Sequence, residues 1–458
     1  MERNLVLSKI RNELFYGSSS YTKNQPDLFI PHQFQMLAPS QARSFLETVI
    51  ESIPEREILL YVHLPFCFSE CLFCNSFPQK VDKNIQQNYL SYLLKEIELY
   101  AKSGIFDGKK AQCIYFGGGT PTSYSNSDLK RIIDTIKSSI ELSETCNITS
   151  EAHPQTLENK KRIFDLADFG INRLSIGCQT FDPNVLSLCN RSNTPSQIHS
   201  IVNSAHDAGL SINIDMMTGL PGQTIDKVQK DLALLEEIRP DSIEYIRHEI
   251  VNPLVAELYK SRPELMIDDD TLFEMIFMTQ EWMEKNGYEQ NGRFSNDKQW
   301  AYRYHWLKEM PIIAFGTRTR STSKTICYDK HEELSNYTRL LDKGLPPIGR
   351  YIILSKRERM YRSLILGLQI KSGLNFKQFY DSFGESSLDV FGPLFDKLIE
   401  FGCLTTDAES IRLSRYGAFF VEDVCDLIID TALREKSKGL ERTPHSGGNR
   451  YSNLALGE

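Results

Sequence analysis

Between residues 58 and 246 of this 458-residue chain, short apolar runs alternate with stretches of helical spacing. The runs are 58–64, 113–116, 147–151, 173–177, 212–217 and 242–246. Helical spacing fills 84–104, 126–142, 156–169, 195–208 and 224–237. Six strands separated by helices of this length imply a parallel sheet built from right-handed crossovers. Folds of this kind place their reactive groups in the loops just after the strands. The polar and glycine-rich residues of this chain cluster there.

The flanks read differently. Residues 1–56 form a polar and aromatic extension, with a loop over 17–27 and a helix over 40–53. A helix over 269–286 ends at Asn286-Gly287, a stop signal. Residues 288–325 are mixed and aromatic. Residues 353–436 read as helices with a hairpin near 402–413, the pattern of a mostly helical, winged-helix-like domain. The expected division is therefore 1–56, 57–325, 326–436 and a polar tail, 437–458, expected to be disordered.

Composition narrows the function class. Net charge is −8 and no basic stripe is visible, so nucleic acid is not an expected partner. The run Lys356-Arg357-Glu358-Arg359 reads as the polar face of a helix. No apolar run reaches membrane-spanning length and no signal-peptide core is present, which points to a cytoplasmic protein. Of ten cysteines, seven are scattered, as small apolar residues in a reducing compartment are.

The other three are Cys67, Cys71 and Cys74, in a loop directly after the first strand. A C-x3-C-x2-C loop can ligate three irons of a cubane and leave the fourth open for a substrate, whereas electron-transfer clusters are closed by four cysteines. Structural zinc needs four ligands, commonly in two pairs, and there is no second pair. His63, on the strand, reads as a packing residue rather than a fourth ligand. Phe66, Phe68 and Phe73 would keep water from the loop.

Several segments resemble the radical S-adenosylmethionine (SAM) superfamily, in the branch of oxygen-independent coproporphyrinogen III oxidase. They are Tyr61-Val62-His63-Leu64-Pro65-Phe66-Cys67 with Cys71–Cys74, FGGGTPT at 116–122, the stretch Gly170–Phe181, IDMMTGLPGQT at 214–224, and Leu413-Ser414-Arg415-Tyr416-Gly417. Cys178 stands where the family has Val. The resemblance runs from about residue 55 to 430 and implies an α/β fold, a partial (β/α)6 TIM-like barrel. It further implies a [4Fe–4S] cluster on Cys67, Cys71 and Cys74, two SAM molecules, and an electron donor such as flavodoxin or ferredoxin.

By the same resemblance, Tyr61, Phe73, Gly117, Gly118, Gly119, Thr120, Glu151, Gln179, Arg191, Asp215, Met217 and Gly219 are expected to contact SAM. The residues alone say less. Consecutive glycines let a ligand approach the backbone. Arg191 suits a carboxylate. Asp215 inside an apolar strand needs a partner. Met217, Thr218 and Gly219 would border the second ligand. Tyr61, Glu249, Tyr288 and Glu289 are the candidate catalytic groups, with Arg293-Phe294 in a stretch closing the barrel mouth. His206, mid-helix, reads as packing or surface. Trp300, Tyr302, Tyr304, His305 and Trp306 either line a pocket for a planar apolar substrate or pack a domain junction.

The resemblance implies reductive cleavage of SAM to a 5′-deoxyadenosyl radical. Family oxidases carry another Cys two residues after the last cluster Cys, where this chain has Ser76. The heme-chaperone relatives have Asp directly after that Cys, where this chain has Asn75. These departures favour a class C methyltransferase, in which a second SAM methylates or cyclopropanates an sp² carbon of an aromatic or porphyrin-like substrate. The alternatives are a coproporphyrinogen oxidase and a heme chaperone.

Overall fold

The computed structural model describes residues 2–15, 34–74, 76, 78–250, 252–288, 290–291, 294–295 and 301–437. The expected disordered tail thus lies outside the described residues beyond Ser437. The six expected strands form as β1 (Glu57–Leu64), β2 (Lys110–Gly118), β3 (Glu141–Ala152), β4 (Arg173–Gln179), β5 (Ser211–Thr218) and β6 (Ser242–Arg247). They are parallel and neighbours in chain order. Between them run α1 (Lys83–Lys102), α2 (Asn126–Ser139), α3 (Lys160–Asp168), α4 (Pro195–Asp207) and α5 (Ile225–Ile238). The partial-barrel expectation is met.

A seventh parallel strand joins on the open side. β7 (Ile312–Phe315) pairs with β1, Ile312 opposite Leu59 and Phe315 opposite Val62. It comes from the stretch read as mixed. All four of its residues are buried, so it carries no alternation by which a strand is recognised. β8 (Arg320–Thr322), β9 (Ile326–Lys330) and β10 (Ile348–Ile353) continue the sheet antiparallel, and Gln35–Met36 adds an edge to β10. The expected division at 325/326 falls inside this meander, between β8 and β9.

Period-two alternation sorts the strand residues. Ile58, Leu60, Val62 and Leu64 of β1, Ile114 and Phe116 of β2, Leu174 and Ile176 of β4, and Ile212, Ile214 and Met216 of β5 enter the main core with the helices. The alternate positions — Tyr61, Tyr115, Glu151, Ser175, Asp215 — face the other way and give the barrel a polar interior. Side-chain caps start the helices: Asp82 for α1, Ser125 for α2, Thr194 for α4 and Thr224 for α5.

The C-terminal part has its own core. After α6 (Asp269–Lys285) come α7 (Lys356–Leu368), α8 (Phe376–Phe383), α9 (Ser387–Glu400) and α10 (Val421–Ser437). A small antiparallel sheet pairs β11 (Leu374–Asn375) with β13 (Ser410–Leu413), and β13 with β12 (Leu404–Thr406). This is the expected helical, winged arrangement. Glu358 is buried and closes a capping box with Ser355 at the start of α7, so the basic run lies on a helix but forms its first turn and not a polar face. Ile10 and Leu14 of the N-terminal extension pack into this core.

Candidate active site

The loop after β1 is held at both ends by backbone. Gln79 N–H donates to Pro65 O (2.7 Å) and Val81 N–H to Cys67 O (3.0 Å). Asn190 Nδ2 reaches Glu70 O at 3.1 Å, and Leu72 N–H donates to Cys189 O at 3.3 Å, which ties the loop to the segment after β4. Cys67, Cys71 and Cys74 face one cavity of about 360 Å3 at the C-terminal ends of the strands. Three thiols on one loop, facing one cavity, fit a cubane, which presents a separate iron to each thiolate.

Gly118 and Gly119 have a packing task that the sequence does not announce. Gly119 N–H donates to Leu64 O at 2.9 Å and Gly118 N–H to Glu151 Oε2 at 3.2 Å, so both amides are already engaged. A Cβ at Gly119 would lie 2.8 Å from the Phe66 and Pro65 backbone, and one at Gly118 (φ +115°) 2.6 Å from the His63 ring. The glycines let the root of the cysteine loop press onto β2. Gly118, Gly119 and Thr120 then line the cavity, with Thr120 Oγ1 3.1 Å from Cys67 Sγ.

Glu151, Gln179, Arg191, Asp215 and Met217 line the same cavity, together with Phe73 and Glu249. Glu151 accepts from Tyr115 Oη (2.9 Å), yet burial pushes its carboxyl up to about 7. Burial raises Asp215 to about 6, against the pull of Arg173 and of the Ser175 and Asn213 donors at 3.2 and 2.5 Å. Arg191 bonds the Gly177 carbonyl and lies 3.6 Å from Cys71 Sγ, while its buried Nε has no protein partner among the described residues. Buried carboxylates and an unsatisfied guanidinium donor fit a zwitterionic ligand such as SAM.

Other expected residues sit elsewhere. Tyr61 and Gly117 lie one layer below: Tyr61 stacks on Tyr115 and its hydroxyl contacts His63 Nδ1 at 3.2 Å. Gly219 does not line the cavity; its N–H is taken by Gln223 Oε1 at 2.9 Å, in a turn closed by His248. Tyr288 is at the opposite end of the sheet, its hydroxyl donating to the carbonyl of Pro240 before β6 (3.0 Å). It is therefore too far from the thiols to act on a ligand there. Glu289, Asn75, Arg293 and Trp300 lie outside the described residues, as does the side chain of Phe294. Tyr302 packs on Tyr115, and Trp306 is buried against Leu59, Ile312 and Leu366, so these rings fill a junction and do not line the cavity. His206 is a surface residue paired with Asp241 at 3.0 Å.

The cavity also has walls that the sequence does not announce. Ser175 and Gly177 belong to β4, Glu244, Ile246 and Arg247 to β6, and His153 and Gln155 to the turn after β3. Period two from Gln179 reaches Gly177 and Ser175, and from Glu249 it reaches Arg247; Glu244 and Ile246 have the other parity. Arg247 is held by Asp423 (3.0 Å) and Glu422 (3.1 Å) on the first turn of α10, which fastens the C-terminal helices to the rim. No described helix is long and apolar enough to cross a membrane.

The model of the radical SAM superfamily matches residues 61–235, and that of the HemN C-terminal domain matches 354–420. The oxygen-independent coproporphyrinogen III oxidase of Escherichia coli K12 is 26% identical over 86% of this chain and 90% of its own length. The heme chaperone HemW of Haemophilus influenzae is 26% identical over 81% of this chain and 97% of its own. The solved E. coli coproporphyrinogen III oxidase, a radical SAM enzyme, superposes with a TM-score of 0.78 at 23% identity, covering 88% of this chain and 96% of that one. Methyl transfer to an sp² carbon, the expectation drawn from Ser76 and Asn75, has no counterpart in these relatives; they support the alternative set beside it, oxidase or chaperone. The chain thus carries a radical SAM domain followed by a HemN C-terminal domain, a combination that implies a [4Fe–4S] cluster and SAM as cofactors.

Proposed function

We propose that this chain is an enzyme that cleaves SAM reductively and oxidises a carboxylated tetrapyrrole of the porphyrinogen class. The observation that carries the reading is the single cavity joining three thiols to Glu151, Gln179, Arg191 and Asp215. Cys67, Cys71 and Cys74 would hold the cluster. Glu151 would take the ammonium of SAM, its ionised form stabilised by that cation. Arg191 would take a carboxylate, and Asp215, fixed by Ser175 and Asn213, would accept from a ligand donor. When bound, the cluster and SAM would supply one-electron cleavage of the sulfonium and removal of a hydrogen atom from the substrate, and the electron left as carbon dioxide departs would pass to an external one-electron acceptor. The protein's part is aim and dryness: Phe73 and Met217 cover the thiol side, and Arg247 with the first turn of α10 closes the β6 side.

Oxidase is favoured over chaperone by the N-terminal extension. Gln35–Met36 extends the sheet, and Phe45, Leu46 and Val49 of the helix Ala42–Glu51 are core residues. A Salmonella typhimurium oxidase aligns over 92% of this chain. The test is anaerobic incubation with SAM, dithionite and coproporphyrinogen III. The expected products are 5′-deoxyadenosine and carbon dioxide. S-adenosylhomocysteine beside deoxyadenosine would restore methyl transfer, and stoichiometric heme binding without SAM turnover would make the protein a chaperone.

A further inference from the structure

His153 caps the short 3-10 helix Pro154–Leu157 that follows β3, and its Nδ1 accepts the Gln155 N–H at 3.2 Å. A ring nitrogen that accepts carries no proton, so the neutral imidazole bears its proton on Nε2. Burial and the nearby Arg191 charge push the ring down to about 3, which keeps it neutral in any physiological buffer. Its Nε2 is buried and has no partner among the described residues. Arg191 Nε, in the same cavity wall, is buried and unsatisfied in the same way. The two segments are tied together, since Gln155 Nε2 donates to Ser192 Oγ at 3.0 Å. Buried donors are paired in native proteins, and two such donors on residues that line one cavity ask for an acceptor with two lone-pair sites.

We infer that His153 is a ligand-binding residue that presents Nε2–H, beside Arg191 Nε, to a carboxylate of the bound small molecule. The inference deepens the proposed function and rests on its reading of the cavity. The carboxylate has two candidate sources, SAM and a carboxylated tetrapyrrole. Because the histidine is neutral, it adds direction and no charge: it selects a carboxylate placed on the β3 side of Arg191.

The test uses the cluster-reconstituted protein and two probes, SAM and the tetracarboxylate coproporphyrin III, each by equilibrium dialysis. His153→Asn keeps an acceptor for the Gln155 N–H and so keeps the cap, but it withdraws the donor from the cavity. His153→Ser, also a capping residue, repeats the measurement should the Asn protein melt early. The expected result is affinity weaker by about tenfold or more for one probe, at an unchanged melting temperature. Loss for SAM assigns the carboxylate to the cofactor, and loss for coproporphyrin III alone assigns it to the substrate. Parity with wild type for both probes overturns the inference. Should the wild type refuse coproporphyrin III, the tetrapyrrole reading fails, and the SAM affinity alone upholds or overturns the role of His153.

Discussion

The Thr120 hydroxyl lies 3.1 Å from the sulfur of Cys67, bridging the loop after β2 to the loop after β1. Burial pushes the Cys67 thiol up to about 11, and the Thr120 hydrogen bond works against that rise. A thiolate can only accept, so with Cys67 as a cluster ligand the hydroxyl donates to it. Donors to cluster sulfurs stabilise the more negative, reduced state. Thr120→Val should therefore assemble a full cluster whose midpoint potential is more negative, read by redox titration followed by electron paramagnetic resonance. An unchanged potential would mean that the contact is packing alone.

Glu151 makes the ligand-free protein pH-sensitive in a definite direction. Its folded value, about 7, exceeds its ordinary value of 4.5. Between these the folded state holds more protons than the unfolded one, so stability falls as pH rises from 4.5 to 7 and is level beyond. The penalty above pH 7 is about 3 kcal/mol at most. Glu151→Gln should escape it, becoming more stable than wild type at pH 8 in denaturant unfolding without SAM, and it should bind SAM more weakly. A variant equal to or less stable than wild type at pH 8 would show that the carboxylate is not under strain.

Arg247 ties the sheet to α10 through Asp423, whose side chain is 1% exposed. Removing one member of a buried pair strands the other, at about 3–5 kcal/mol. Arg247→Met should lower the unfolding free energy by that amount. A change below about 0.5 kcal/mol would mean that the docking of α10 rests on its apolar contacts.

Tyr288 should prove dispensable for chemistry. Tyr288→Phe removes one hydrogen bond to Pro240, about 1 kcal/mol of stability. Deoxyadenosine formation should stay within about twofold of wild type. A hundredfold loss would place the tyrosine at the reacting atoms after all.

Much of this architecture is legible in the amino-acid order. β1 to β6 announce themselves because each pairs an apolar face with a polar one, and the cysteine loop stands where the first strand must end. Glu151, Gln179 and Arg191 stand out because they are polar at or beyond strand ends, and Asp215 because it is an acid inside an apolar strand. β7 does not, because a run of four buried residues by itself does not separate a strand from a buried piece of helix. Tyr288 and Gly219 are carried by resemblance along the chain, which says nothing about the end of the sheet at which a side chain arrives. Arg247 is hidden by its partners: Glu422 and Asp423 are distant in sequence, and only packing brings them to β6. His153 reads as a turn residue, and its turn geometry is what fixes the proton on Nε2.

The most direct measurement follows the fate of SAM and of the substrate together. The reconstituted protein is incubated anaerobically with dithionite, SAM and coproporphyrinogen III, beside variants in which Cys67, Cys71 or Cys74 is Ser. The expected outcome is 5′-deoxyadenosine and carbon dioxide in step with loss of the porphyrinogen, and neither product from the serine variants. Full activity in any serine variant, or a wild-type protein that holds zinc and no iron–sulfur cluster, would contradict it.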